Sequence, residues 1–106
     1  MVAPDQFDVF PNPDPEYSES HPYFIVLQHD TLDGLNIRIV APLIAPKAIR
    51  FFERLMPEVT IEGASYVIDM TNIGVWPARM LQQPIANLES RRYDIIRAID
   101  IVFTGI

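Results

Sequence analysis

Tyr23-Phe24-Ile25-Val26-Leu27-Gln28-His29-Asp30-Thr31-Leu32-Asp33-Gly34-Leu35-Asn36-Ile37-Arg38-Ile39-Val40-Ala41-Pro42-Leu43 reads as two strands joined by a turn. Residues 23–27 are aromatic and β-branched, with no polar face. A strand apolar on both sides belongs inside a sheet. Asp33-Gly34 punctuates the connection, because both residue types accept turn dihedrals. The gap before Ile37 is too short for a helical crossover, so the two strands are antiparallel. Pro42 cannot donate to a ladder, which places it at an edge or a strand end.

Outward from this pair, Gln6–Phe10 alternates, with Phe7 and Val9 on one side, and reads as a short strand. Pro11-Asn12-Pro13-Asp14-Pro15 breaks regular structure and opens a polar loop running to Pro22. Pro46–Met56 has helical spacing at Ala48, Ile49, Phe52, Leu55 and Met56, and Pro57 stops it. Val59–Ile61, Glu62-Gly63 and Ala64–Asp69 read as a tight hairpin with Tyr66 and Ile68 on one face. Thr71–Gly74 is a turn, and Val75–Leu81 a further strand bent by Pro77. From Asn87 to Ile106, the residues Ile95, Ile96, Ile99, Val102 and Phe103 recur at the spacing of one helix face. Asn87 or Ser90 is placed to cap that helix. The helix either docks on the sheet and stops, or presents Phe103-Thr104-Gly105-Ile106 as a contact surface. The sum is an α+β chain: a small antiparallel β-sheet with one short helix and one long C-terminal helix, in a single domain spanning 1–106.

Apolar residues make up 49% of the 106-residue chain, enough for a packed core. Eight Lys and Arg against fourteen Asp and Glu, a net charge of −6, exclude a general nucleic-acid surface. The acidity is uneven: seven carboxylates fall within residues 5–33 with no Lys or Arg, whereas the last helix carries Arg91, Arg92 and Arg97. Cysteine is absent, which removes disulfides, thiol nucleophiles and Cys-bound zinc. No apolar run spans a bilayer and no signal peptide opens the chain, so a cytoplasmic protein without a membrane partner is expected.

Catalytic signals are weak. Glycine is scarce, with no phosphate-cradling loop or dinucleotide fingerprint. His21 and His29 lie in loops without a second ligand set at metal spacing. Asp30 and Asp33 are better explained as turn residues. Trp76 is a core residue or a surface anchor. No catalytic residue, cofactor or metal is expected, and composition points to a binding protein.

The order of segments resembles the CcdB family of bacterial toxins. The resemblance rests on Gln6-Phe7; on Gln28, Asp30 and Asp33 after the central strand; on Pro42-Leu43; on Pro57, Val59 and Ile61; on Leu88, Arg91, Asp94 and Ile95; and on Phe103-Thr104-Gly105-Ile106. The matches are collinear over nearly the whole chain. The excess is in the N-terminal lead and the Pro-rich first loop. The resemblance implies an SH3-like barrel related to the MazF toxins, with a C-terminal helix. It implies a homodimer whose helix ends come close together, which poisons DNA gyrase by binding the A subunit and trapping cleaved DNA. A disordered CcdA-like antitoxin is implied as the neutralising partner, and DNA is contacted only through it. Carried over residue by residue, the gyrase surface comprises Thr31, Leu32, Asp100, Val102, Phe103, Thr104, Gly105 and Ile106. The sequence departs from the family at Thr104, where the family has a Trp that stacks on a gyrase Arg, and at Thr31, which is polar where an apolar residue is usual. Two other functions fit less of the sequence. One is a homologue that binds antitoxin without toxicity. The other is a MazF-like endoribonuclease, with His29 or Arg38 as its candidate residues.

Overall fold

A computed structural model describes residues 4–32, 34–46, 56–81 and 83–105. Among these residues seven strands form one antiparallel sheet: β1 (Asp8–Pro11), β2 (Tyr23–Val26), β3 (Ile37–Ile44), β4 (Glu58–Ile61), β5 (Ala64–Ile68), β6 (Gly74–Pro77) and β7 (Ala86–Asn87). One α-helix, α1 (Arg92–Thr104), follows. The main path runs β4-β5-β3-β2-β1-β7, with β6 added to β3, and the sheet curls nearly into a barrel. The expected α+β class and antiparallel pairing are therefore present. The helix expected over Pro46–Met56 falls mostly outside the described residues.

β3 organises the sheet. One edge pairs with β2, putting Tyr23 opposite Leu43 and Val26 opposite Val40. The other edge divides: Ile37–Val40 pair with β6, and Leu43 and Ile44 pair with β5. Pro42 stands where these two arms part. It is thus inside the central strand and not at an edge, which corrects the sequence expectation. Its carbonyl accepts from the Asp69 N–H at 2.9 Å, so its nitrogen also faces the parting, where no ladder bond is lost.

The central strands are apolar on both sides because each side faces a core. Val9, Ile25, Leu27, Ala41 and Leu43 enter the larger core with Phe7, Ile61, Ile68 and α1. Phe10, Val26 and Val40 enter a smaller one with Leu81, against which Phe24 and Trp76 pack. Trp76 is therefore a packing residue on this face.

The hairpin forms as its turn chemistry dictates. Glu62 and Gly63 both have positive φ, 51° and 83°, as a two-residue loop matched to strand twist requires. Tyr66 and Ile68 do share a face. Three boundaries differ from expectation. β1 begins at Asp8, because Phe7 turns to φ 69° and gives its N–H to the Val26 carbonyl at 2.7 Å. Pro77 ends β6 instead of bending it, and a 3-10 turn follows over Ala78–Met80. The last helix begins only at Arg92.

Candidate functional site

α1 is fixed at its root by the backbone needs of β1. Asn87 pairs with Asp8 in β7, and its side-chain amide donates to the Gln6 carbonyl at 3.2 Å and to Asp8 Oδ1 at 2.9 Å. The Leu88 N–H donates to the Phe7 carbonyl at 2.9 Å. Those bonds hold Asn87 in β7 and keep Leu88, at φ −103° and ψ 31°, out of the helix. Asn87 Oδ1 accepts from the Glu89 N–H at 2.8 Å. It therefore starts a 3-10 turn over Glu89–Arg91 and does not cap α1, whose first residue follows Arg91 without a side-chain cap.

Along α1, Ile95 and Ala98 are fully buried, and Ile96, Ile99 and Val102 pack against the same core. Burial of these residues stabilises the docked helix by roughly 1.5–3 kcal/mol for each fully enclosed large apolar side chain. The apolar face ends at Val102. A further 100° of helical turn carries Phe103 off the sheet, and it is 68% exposed. Phe103 therefore lies outside the docking face. The docking alternative holds as far as Val102, and Phe103 is left in solvent.

The tip is ordered by its own backbone. Gly105 has φ 76° and donates its N–H to the Ile101 carbonyl at 3.0 Å, the left-handed cap that ends many helices. Thr104 Oγ1 turns back and donates to the Asp100 carbonyl at 2.6 Å. A Cβ on Gly105 would meet nothing within 4 Å, so the local demand for glycine is conformational. Gly105→Ala is expected to cost the last turn about 1 kcal/mol, seen as faster amide exchange at position 105 with little change in global melting.

Asp100, Phe103, Thr104 and Gly105 are all exposed at this end, with Val102 half-buried beneath them; Ile106 lies outside the described residues. The last turn carries no basic side chain, so Asp100 adds to the negative pole of the helix. Thr31 and Leu32 sit in a 3-10 turn (Asp30–Leu32) and are exposed. Their turn is tied to the other end of α1. Asp30 Oδ1 accepts from the Gln6 N–H at 2.7 Å, and Arg92 donates to Gln6 Oε1 at 3.2 Å. The described contacts thus gather Asp100–Gly105 at the tip and link Thr31 and Leu32 to the root.

Sequence reasoning missed the flank of this surface. Tyr93 is 77% exposed and lines, with Arg97, Asp100, Ser90, Arg92 and Ile96, an open groove of about 750 Å³ along the outer side of α1. The signal was available: Tyr93, Arg97 and Asp100 recur at i, i+4 and i+7. Arg92 is steadied by Gln6 and stands 5.6 Å from the centroid of the Phe7 ring. The Arg91–Asp94 ion pair, 3.2 Å and exposed on both sides, adds at most about 0.5 kcal/mol.

The ribonuclease candidates do not form a site. Arg38 is 1% exposed, and its guanidinium donates to the carbonyls of Pro4, Leu35 and Ile37 at 3.2, 2.7 and 2.9 Å. That burial removes it from any phosphate. His29 is exposed, with Nδ1 accepting from the Thr31 N–H at 3.1 Å. Among the described residues no group of three His, Asp or Glu could hold a metal ion. No helix among them is long and apolar enough to cross a membrane.

The model of one protein family, CcdB protein, matches residues 6–105. The match covers nearly all of the chain, which therefore belongs to the CcdB family, toxins of toxin–antitoxin systems.

Proposed function

We propose that this CcdB-family chain acts, as a homodimer and without catalysis of its own, by docking the tip of α1 on the A subunit of DNA gyrase and trapping the enzyme on cleaved DNA. The carrying observation is Phe103, a large apolar side chain held in solvent at the end of a firmly rooted helix. Exposed apolar groups on ordered elements are the usual anchors of protein interfaces. The acidic tip suits a partner surface that offers guanidinium or ammonium groups. Thr31 and Leu32, beside the helix root, form a second contact in this reading, and Gly105 and Ile106 complete the tip. A CcdA-like antitoxin neutralises the toxin and supplies the DNA contacts that this acidic chain lacks. The cytoplasm, where gyrase works, is the place of action.

An uncovered band on the sheet supports the dimer. Ile37 and Ile39 share the β3 face of Ala41 and Leu43, yet both are exposed beyond the larger core. Val75, opposite Ile39, and Leu35 extend the band. Monomers seldom leave such a row open to water.

The test is DNA cleavage with purified gyrase from the host. The parent chain is expected to accumulate cleaved DNA. A chain lacking Gly105 and Ile106 is expected to accumulate none while still forming dimers in sedimentation. A parent chain that traps no cleaved DNA and arrests no growth on expression sinks the gyrase reading. Antitoxin binding without either effect then selects the non-toxic, regulatory reading suggested by Thr104.

A further inference from the structure

The Pro-rich loop, residues 12–22, covers a cavity that no part of α1 lines. The cavity holds about 360 Å³, the size of a small-molecule site. Phe24 and Trp76 form its floor, with ring centroids 5.7 Å apart and planes tilted by 59°. Tyr17 adds a third aromatic side from the loop. Asp14 faces the same space. Its Oδ1 accepts from the Glu16 N–H at 2.9 Å, and among the described residues its other oxygen has no hydrogen-bond partner.

The remaining polar lining is largely occupied. Asn12 accepts from the Asp14 N–H at 2.8 Å and donates to the His21 carbonyl at 2.8 Å. His21 Nδ1 lies 2.7 Å from Ser20 Oγ. The loop adds Glu16 and Glu19, and no Lys or Arg occurs anywhere from residue 5 to residue 33. No lysine or arginine lines the cavity to receive an anion. A neutral apolar guest would use the rings and waste the carboxylate.

We propose that this cavity binds a small organic cation of the alkylammonium class, its charge against Asp14 and its methyl or methylene groups on Tyr17, Phe24 and Trp76. Aromatic faces attract such cations through their negative quadrupole, and the acidic loop raises the local cation concentration. The open mouth leaves part of the ligand hydrated, so weak affinity is expected, with Kd on the order of 1 mM. The site is independent of the α1 tip and does not require gyrase binding.

Trp76 is the only tryptophan in the chain, so its emission reports the cavity directly. The full chain is titrated with choline and with 3,3-dimethyl-1-butanol, its neutral isostere. Choline is expected to give a saturable change, at least ~10-fold tighter than the isostere. Asp14→Asn keeps the bond to the Glu16 N–H through its amide oxygen and is expected to reduce choline binding to the level of the isostere, with an unchanged circular dichroism spectrum. Amide chemical shifts of residues 12–22 and 74–77 provide the second readout, in the parent and in Trp76→Phe. Equal responses to choline and its isostere, or choline binding unaltered in Asp14→Asn, overturn the proposal. Tighter binding of N-acetyl-lysine methylamide than of choline also overturns it, by assigning the cation to a partner protein's side chain.

Discussion

Thr104→Trp is expected to lower by about 30-fold the concentration of this protein needed for half-maximal trapping of cleaved DNA by gyrase. Position 104 is exposed in the last turn of α1, beside Phe103 and before the Gly105 cap. The threonine hydroxyl is turned back to the Asp100 carbonyl, so its side chain offers a partner little beyond one methyl group. An indole there adds a broad flat face that can stack on a guanidinium, a contact of the kind worth about 2 kcal/mol at interface centres. That energy corresponds to the factor of about 30. The folding cost is small, because the replaced group is in water and the lost backbone bond is worth about 1 kcal/mol. Thr104→Leu, apolar but without a ring, is expected to give less than a third of the gain in potency. A shift below about threefold for Thr104→Trp, against a parent that does trap DNA, would show that the partner does not press on this position.

Arg38→Ala is expected to remove about 3–5 kcal/mol of unfolding free energy, measured by urea denaturation. A small domain has roughly 5–15 kcal/mol in total, so the variant stands near the edge of folding. The guanidinium is enclosed and bonded to three carbonyls from the chain start, the turn before β3 and β3 itself. Truncation leaves those acceptors dry and opens a cavity where a long side chain stood. Arg38→Lys is expected to recover only part of the loss, since one ammonium cannot reproduce the spread fork of donors. A cost below about 1 kcal/mol for Arg38→Ala would mean that water replaces the guanidinium and that the residue is dispensable to the fold.

An element of this fold is legible in the sequence to the extent that its signal is local. β2, β3 and the β4–β5 hairpin were legible because β-branched and aromatic runs and Glu62-Gly63 carry their own instruction. The division of the β3 edge was not, since nothing within residues 37–44 says that two separate strands will meet it. The start of α1 was misplaced for a similar reason. Asn87 and Leu88 satisfy the bonding of Phe7 and Asp8, some eighty residues earlier in the chain, and that demand outweighs helical spacing. Arg38 looked available for chemistry because a lone cation in an apolar strand has no local partner. Its partners are backbone carbonyls, which a sequence does not display. At the tip, Gly105 just past an apolar period is a cap signal that was not read as one. Only the structure separates Val102, facing inward, from Phe103, facing out.

The parting of the sheet at Pro42 bears on how one strand can change partners midway. Two arms diverge there, and among the described residues neither β5 nor β6 pairs with position 42. Its carbonyl takes the Asp69 N–H instead. Position 42 is buried, so any other residue would leave a donor away from water with no ladder partner. Such an orphan costs about 1–3 kcal/mol. Proline has no donor to orphan, and the central strand divides without that penalty.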